Sequence, residues 1–210
     1  MHHELNRPRA SSPSRVSAPV AAAEGSGRQV DDATYERIAL ADREGKWELV
    51  DGRLRNKPPM TYAHNQIGWD LGFRIQAQLS AAEFVVRVDA GRASGPGSTY
   101  FIPDVMVIPK SYTVRWRADP YRLEAYPEPL PLVVEVWSPS TGAYDVDTKL
   151  PVYQRRGDLE IWRIHPHART LTAWQRQANG SYSETLYRGG HVRPIALPNV
   201  TIDLDVLFDV

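Results

Sequence analysis

Cysteine is absent from all 210 residues, which excludes disulfides and thiolate metal sites and leaves the redox compartment open. Net charge is absent too, since 25 Lys and Arg balance 25 Asp and Glu. That balance removes any strong non-specific field toward nucleic acid or a lipid surface, so a basic surface has to be local. No apolar run approaches the length of a membrane span. A secretory core is also missing, because the apolar stretch at residues 18–23 is short and broken by Pro19. A cytoplasmic protein without a membrane partner is the expectation. Residues 1–29 are rich in Ser, Pro, Ala and Arg and read as a disordered tail. The remainder, residues 30–210, is long enough for one domain with a sizeable core.

Two short β-branched runs dominate that remainder. Residues 101–108, Phe-Ile-Pro-Asp-Val-Met-Val-Ile, and residues 132–137, Leu-Val-Val-Glu-Val-Trp, have the composition of buried strands. Each carries one carboxylate, Asp104 and Glu135, where apolar residues belong. A buried carboxylate is costly unless paired or bound to a metal. Strand alternation puts Asp104 on the face of Ile102 and Met106, and Glu135 on the face of Val133 and Trp137. On neighbouring strands those faces can coincide, and the two acids can then share a cation.

Other elements frame this pair. Asp31 and Asp32 can cap a helix running to about Gly45. Asp51-Gly52 between two short runs predicts a hairpin, with Glu48 on its first strand. Ile67, Leu71, Ile75 and Leu79 recur every four residues and predict an amphipathic helix over residues 61–82, with His64 on the same face. A strand follows at residues 84–88, then a Gly-Pro-Ser loop at residues 91–98. The long connection at residues 109–131 has no clear period. Its Arg115, Trp116 and Arg117 suit contact with phosphates and bases, or else form a solvated loop with one aromatic tucked inward. A helix is predicted over residues 148–156, with Asp147 as its N-cap, Pro151 in its first turn and Gly157 as its stop. Strands at residues 159–164, 170–174 and 182–187 complete an α/β fold with a central mixed sheet flanked by helices.

Lys149 on the last helix can reach the acids. Either it neutralises Asp104 and Glu135 as a buried triad, or the surplus negative charge of two acids against one lysine recruits a divalent cation. His64 can touch a phosphate or position a water, or it can be a satisfied core histidine. Tyr153, one turn after Lys149, is open between packing and substrate contact. His165 and His167 have a metal-like spacing but no nearby partners in the sequence.

The ordered set Trp47-Glu48-Leu49-Val50-Asp51-Gly52, His64, Pro103-Asp104-Val105, the segment from Val133 to Ser140, Asp145 with Lys149 and Tyr153, and Glu160-Ile161-Trp162 resembles the Uma-type restriction endonucleases. These are a branch of the PD-(D/E)XK nuclease superfamily, and the likeness runs from about Tyr35 to the C-terminus. It implies a restriction-endonuclease-like core and hydrolysis of DNA phosphodiesters with Mg²⁺ or Mn²⁺. Carried over by position, Asp104 and Glu135 are metal ligands, Glu48 an auxiliary acid and Lys149 the catalytic lysine. In the superfamily's usual form the lysine lies two residues after the second acid, where this chain has Trp137. Cutting both strands of a duplex would suit a homodimer. Two other functions remain open on the residues: a nuclease-fold module that binds nucleic acid or regulates without cutting, and a hydrolase of some other phosphate-bearing substrate.

Overall fold

The computed structural model describes residues 29–117, 119 and 121–210. The expected tail at residues 1–29 lies, but for Gln29, outside the described residues. The chain opens with helix α1 (Asp32–Ala41), whose N-cap Asp31 accepts from the Thr34 amide. It stops at Asp42, short of Gly45. The hairpin β1 (Trp47–Val50) and β2 (Arg53–Asn56) forms as expected, with Asp51 and Gly52 at φ +48° and +76°. Two consecutive left-handed residues give the turn whose twist matches the strands it joins.

Helix α2 (Tyr62–Gln78) is capped by Thr61 and buries Ile67, Leu71 and Ile75. Next come β3 (Phe84–Val88), β4 (Arg92–Gly95), β5 (Thr99–Phe101) and β6 (Val105–Pro109). The segment at residues 91–98 is therefore not only a loop, because Arg92–Gly95 pairs with β5. The apolar run at residues 101–108 is also not one strand. Pro103 offers no N–H, and the chain bends there, leaving one sheet at Phe101 and entering another at Val105. Asp104 sits on that bend rather than within a strand.

A 3₁₀ turn (Lys110–Thr113), the short helix α3 (Val114–Arg117) and β7 (Ala125–Tyr126) occupy the long connection. Strand β8 (Leu132–Val136) then leads into α4 (Gly142–Tyr144), a π turn (Asp145–Lys149) and α5 (Leu150–Arg156). Asp147 is accordingly inside a continuous helical run and caps nothing. The Leu150 amide reaches back five residues to the Asp145 carbonyl, so the ladder is already widened before Pro151, which has no N–H to give it. Strands β9 (Glu160–His165), β10 (Thr170–Arg176), β11 (Tyr182–Tyr187), β12 (His191–Val192) and β13 (Ile202–Asp203) and helix α6 (Leu204–Leu207) finish the chain.

The α/β arrangement of mixed sheet flanked by helices is as expected, and its strands divide between two large sheets. Five strands run β2-β1-β5-β4-β7 and six run β11-β10-β9-β8-β6-β3, both mixed, with β12 and β13 as a separate pair. Strand β8 lies antiparallel to β6 and parallel to β9, the latter through the α4–α5 crossover. On one face Val105, Val107, Leu132, Val134 and Val136 pack under α2. On the other, Met106, Ile108, Val133 and Ile161 meet Phe101, Val152 and Tyr153. The strands are apolar on both faces because both are covered.

Candidate active site

The seam between the two sheets gathers the charge. Register sets Val105 opposite Val134, and one step further lie Asp104 and Glu135. Asp104 turns into the plane of the sheet, where its Oδ2 accepts from the Val136 amide at 2.7 Å and lies 3.0 Å from His64 Nε2. Its Oδ1 accepts from Lys57 Nζ at 2.6 Å. Lys57 also donates to the Ile102 carbonyl at 3.0 Å and to Asp89 at 2.8 Å. Burial raises the cost of the Asp104 charge, but Lys57 and His64 outweigh it and hold the carboxyl well below the usual range.

Glu135 projects to the other face. Its Oε1 accepts from Tyr153 at 2.6 Å, and Lys149 donates to both oxygens at 3.2 and 3.1 Å. Lys149 is shared: Glu48 Oε1 is 3.1 Å from its Nζ and Asp145 Oδ1 is 3.8 Å away. Glu48 comes from the five-stranded sheet, and its Oε1 also accepts from the Ile102 amide at 2.9 Å. Its Oε2 takes a weaker bond from Tyr144 at 3.3 Å, under the Arg55 guanidinium. Asp145 is buried, and neither of its oxygens has a hydrogen-bond partner. Burial pushes Glu135 up to about 8 and Asp145 up to about 6, against the pull of Lys149. Burial opposes the charge on Lys149, but the acids around it win and keep it protonated well above the ordinary lysine range.

Four buried carboxylates (Glu48, Asp104, Glu135 and Asp145) therefore face two buried ammoniums, Lys57 and Lys149. Sequence reasoning placed the first three acids and Lys149 in one neighbourhood, and left Asp145 open between orienting the lysine and only adding charge near the helix N-terminus. It missed Lys57. In the sequence this is one lysine in a Pro-flanked turn, and the only hint was its position directly after the strand paired with Glu48.

His64 and Tyr153, read as possible substrate contacts, are buried and hydrogen-bonded to Asp104 and Glu135 respectively. The loop residues lie elsewhere. Arg115 pairs with Glu128, and Trp116 packs edge-on against Tyr126 at 6.2 Å, between two clefts lined by none of the four acids. The Arg117 side chain lies outside the described residues. Trp137, two residues after Glu135, stacks on His165 at 4.1 Å and meets His167 edge-on at 6.1 Å. Its indole fits only because residue 142 is glycine, since a Cβ there would lie 2.0 Å from Trp137 Nε1.

A family model described as "Putative restriction endonuclease" (Uma2) matches residues 32–206. The chain belongs to that family. The crystal structure of "a putative nuclease belonging to DUF820 from Anabaena variabilis" is similar to it in fold. The TM-score is 0.67 at 17% identity, over 82% of this chain and 94% of that one. The architecture is thus restriction-endonuclease-like. No curated protein matches the chain. Among the described residues no helix is long and apolar enough to cross a membrane.

Proposed function

We propose that this member of the family is a divalent-metal-dependent DNA endonuclease whose site is the seam cluster. The observation that carries the reading is the excess of buried carboxylate over ammonium, four against two, in a chain of this family. The donors are all oxygens, the set preferred by hard cations, and Asp145 keeps two buried oxygens without hydrogen-bond partners. Among the described residues no three acids or histidines close round one point as they stand, so the fit rests on donor chemistry and surplus charge. Asp104 and Glu135 would hold Mg²⁺ or Mn²⁺, with Glu48 as the auxiliary acid. When bound, such an ion supplies charge neutralisation at the phosphate and a more acidic water.

The chain's own groups have separate tasks. Lys149, ringed by Glu48, Glu135 and Asp145, serves as an electrostatic partner of the developing phosphate charge or assists deprotonation of the attacking water. His64 and Lys57 position Asp104, and Tyr153 positions Glu135. A second reading, a module that binds nucleic acid or regulates without cutting, is favoured by one observation. Asp104 and Glu135 each already have a lysine at contact distance.

Plasmid nicking with Mg²⁺ or Mn²⁺ separates the two, comparing wild type with the isosteric Asp104→Asn and Glu135→Gln. The nuclease reading expects nicking by wild type and a loss on the order of 100-fold or more in each variant. Equal activity in all three means another site or a contaminant. No cutting under any condition, with DNA still retarded on a gel, supports the non-cutting module.

A further inference from the structure

We propose that the outer face of α2 is where two copies of this chain meet, antiparallel about a twofold axis. The inner face of α2 is committed to the core and to His64. The outer face carries Tyr62, Trp69 and Phe73, which are 75%, 66% and 63% exposed. Their spacing of seven and four residues keeps them in one stripe along the helix. Trp69 and Phe73 stack on each other at 6.3 Å, so the stripe is already ordered. Isolated exposed apolar residues are ordinary, whereas three large rings aligned on one 17-residue helix are not.

The size of the stripe suits a second copy. Three rings about two-thirds exposed present roughly 400 Å² per copy, taking aromatic side chains at 150–250 Å² each. Two copies face to face would cover about 800 Å² from rings alone, and the flanks carry that toward the ~1,200 Å² at which specific interfaces begin.

Charge selects the same partner. Asp70 and Arg74 lie together on one flank of the stripe, and neither is in an ion pair among the described residues. In a twofold antiparallel helix pair, like flanks face each other with the sequence reversed. An axis passing near residue 72 sets Asp70 of each copy against Arg74 of the other, and one near residue 71 brings Trp69 to Phe73. The two requirements differ by one residue, within reach of these side chains. Nucleic acid would want lysines and arginines beside the rings, and here Arg74 is offset by Asp70. The inference stands independently of the nuclease reading.

Sedimentation of the full-length protein tests it. At about 100 μM the wild type is expected at twice the chain mass, and Trp69→Ser/Phe73→Ser at the single-chain mass with unchanged circular dichroism. Asp70→Arg should weaken association at least about tenfold by setting arginine against arginine, and Asp70→Arg/Arg74→Asp should restore it. Three results overturn the proposal: a single-chain mass for wild type, a doubled mass indifferent to Trp69→Ser/Phe73→Ser, or failure of the reversed pair to recover what Asp70→Arg loses.

Discussion

Asp104 and Glu135 are adjacent, equally buried and both faced by a lysine, yet the protein treats their charges in opposite ways. Asp104 draws on Lys57, His64 and the Val136 amide, and its carboxyl is held low. Glu135 has Tyr153 and a lysine that it shares with Glu48 and Asp145, and its carboxyl is pushed up. The difference is one of division, not of burial. A single ammonium spread over three acids leaves each of them under-compensated, and that half of the seam is the one with room for more positive charge.

The largest blow to this asymmetry is Lys149→Met. It strands three buried acids and is expected to cost about 3–5 kcal/mol in urea unfolding. Lys57→Met should cost less, because Asp104 keeps His64 and a backbone amide. Equal losses would mean that the two halves are not differently compensated.

Asp145→Asn probes the same imbalance through pH. A carboxyl raised from 3.8 to about 6 binds its proton more tightly folded than unfolded. Its contribution is therefore full below pH 4 and is lost as pH rises from about 4 to about 6. The wild type should accordingly lose about 2–3 kcal/mol through that window from this group, and Asp145→Asn should flatten the slope. Metal-free protein in a chelator is the sample to use. A slope unchanged by the substitution would place the imbalance elsewhere.

The smallest effect is that of Tyr153→Phe. It removes one neutral donor from Glu135 and should cost about 1–2 kcal/mol, with no counterpart change at Asp104.

Much of this was legible beforehand, and the reasons are local. Asp51-Gly52 dictates its own turn, the four-residue step from Ile67 dictates α2, and Leu132–Val136 could be little other than a covered strand. The acids stood out because an apolar run makes a charge conspicuous. What stayed hidden depends on distance in the sequence. Lys57 reaches its partner across 47 residues, and nothing around it marks it as buried. The division of residues 101–108 between two sheets turns on one missing N–H at Pro103, which the apolar pattern concealed. The pairing of Arg115 with Glu128 was hidden as well, because composition does not show which acid faces a loop arginine.

The π turn at Asp145–Lys149 makes the cluster a matter of chain length as well as chemistry. Each step along a helix turns the chain by about 100°. One residue fewer between Gly142 and Leu150 would restore an ordinary ladder. With Val152 and Tyr153 anchoring the far end in the core, it would also swing the Asp145 side of the turn away from Lys149. In a lineage of such chains, the positions of this segment other than Gly142, Asp145 and Lys149 should accept substitutions far more readily than the segment accepts a single insertion or deletion.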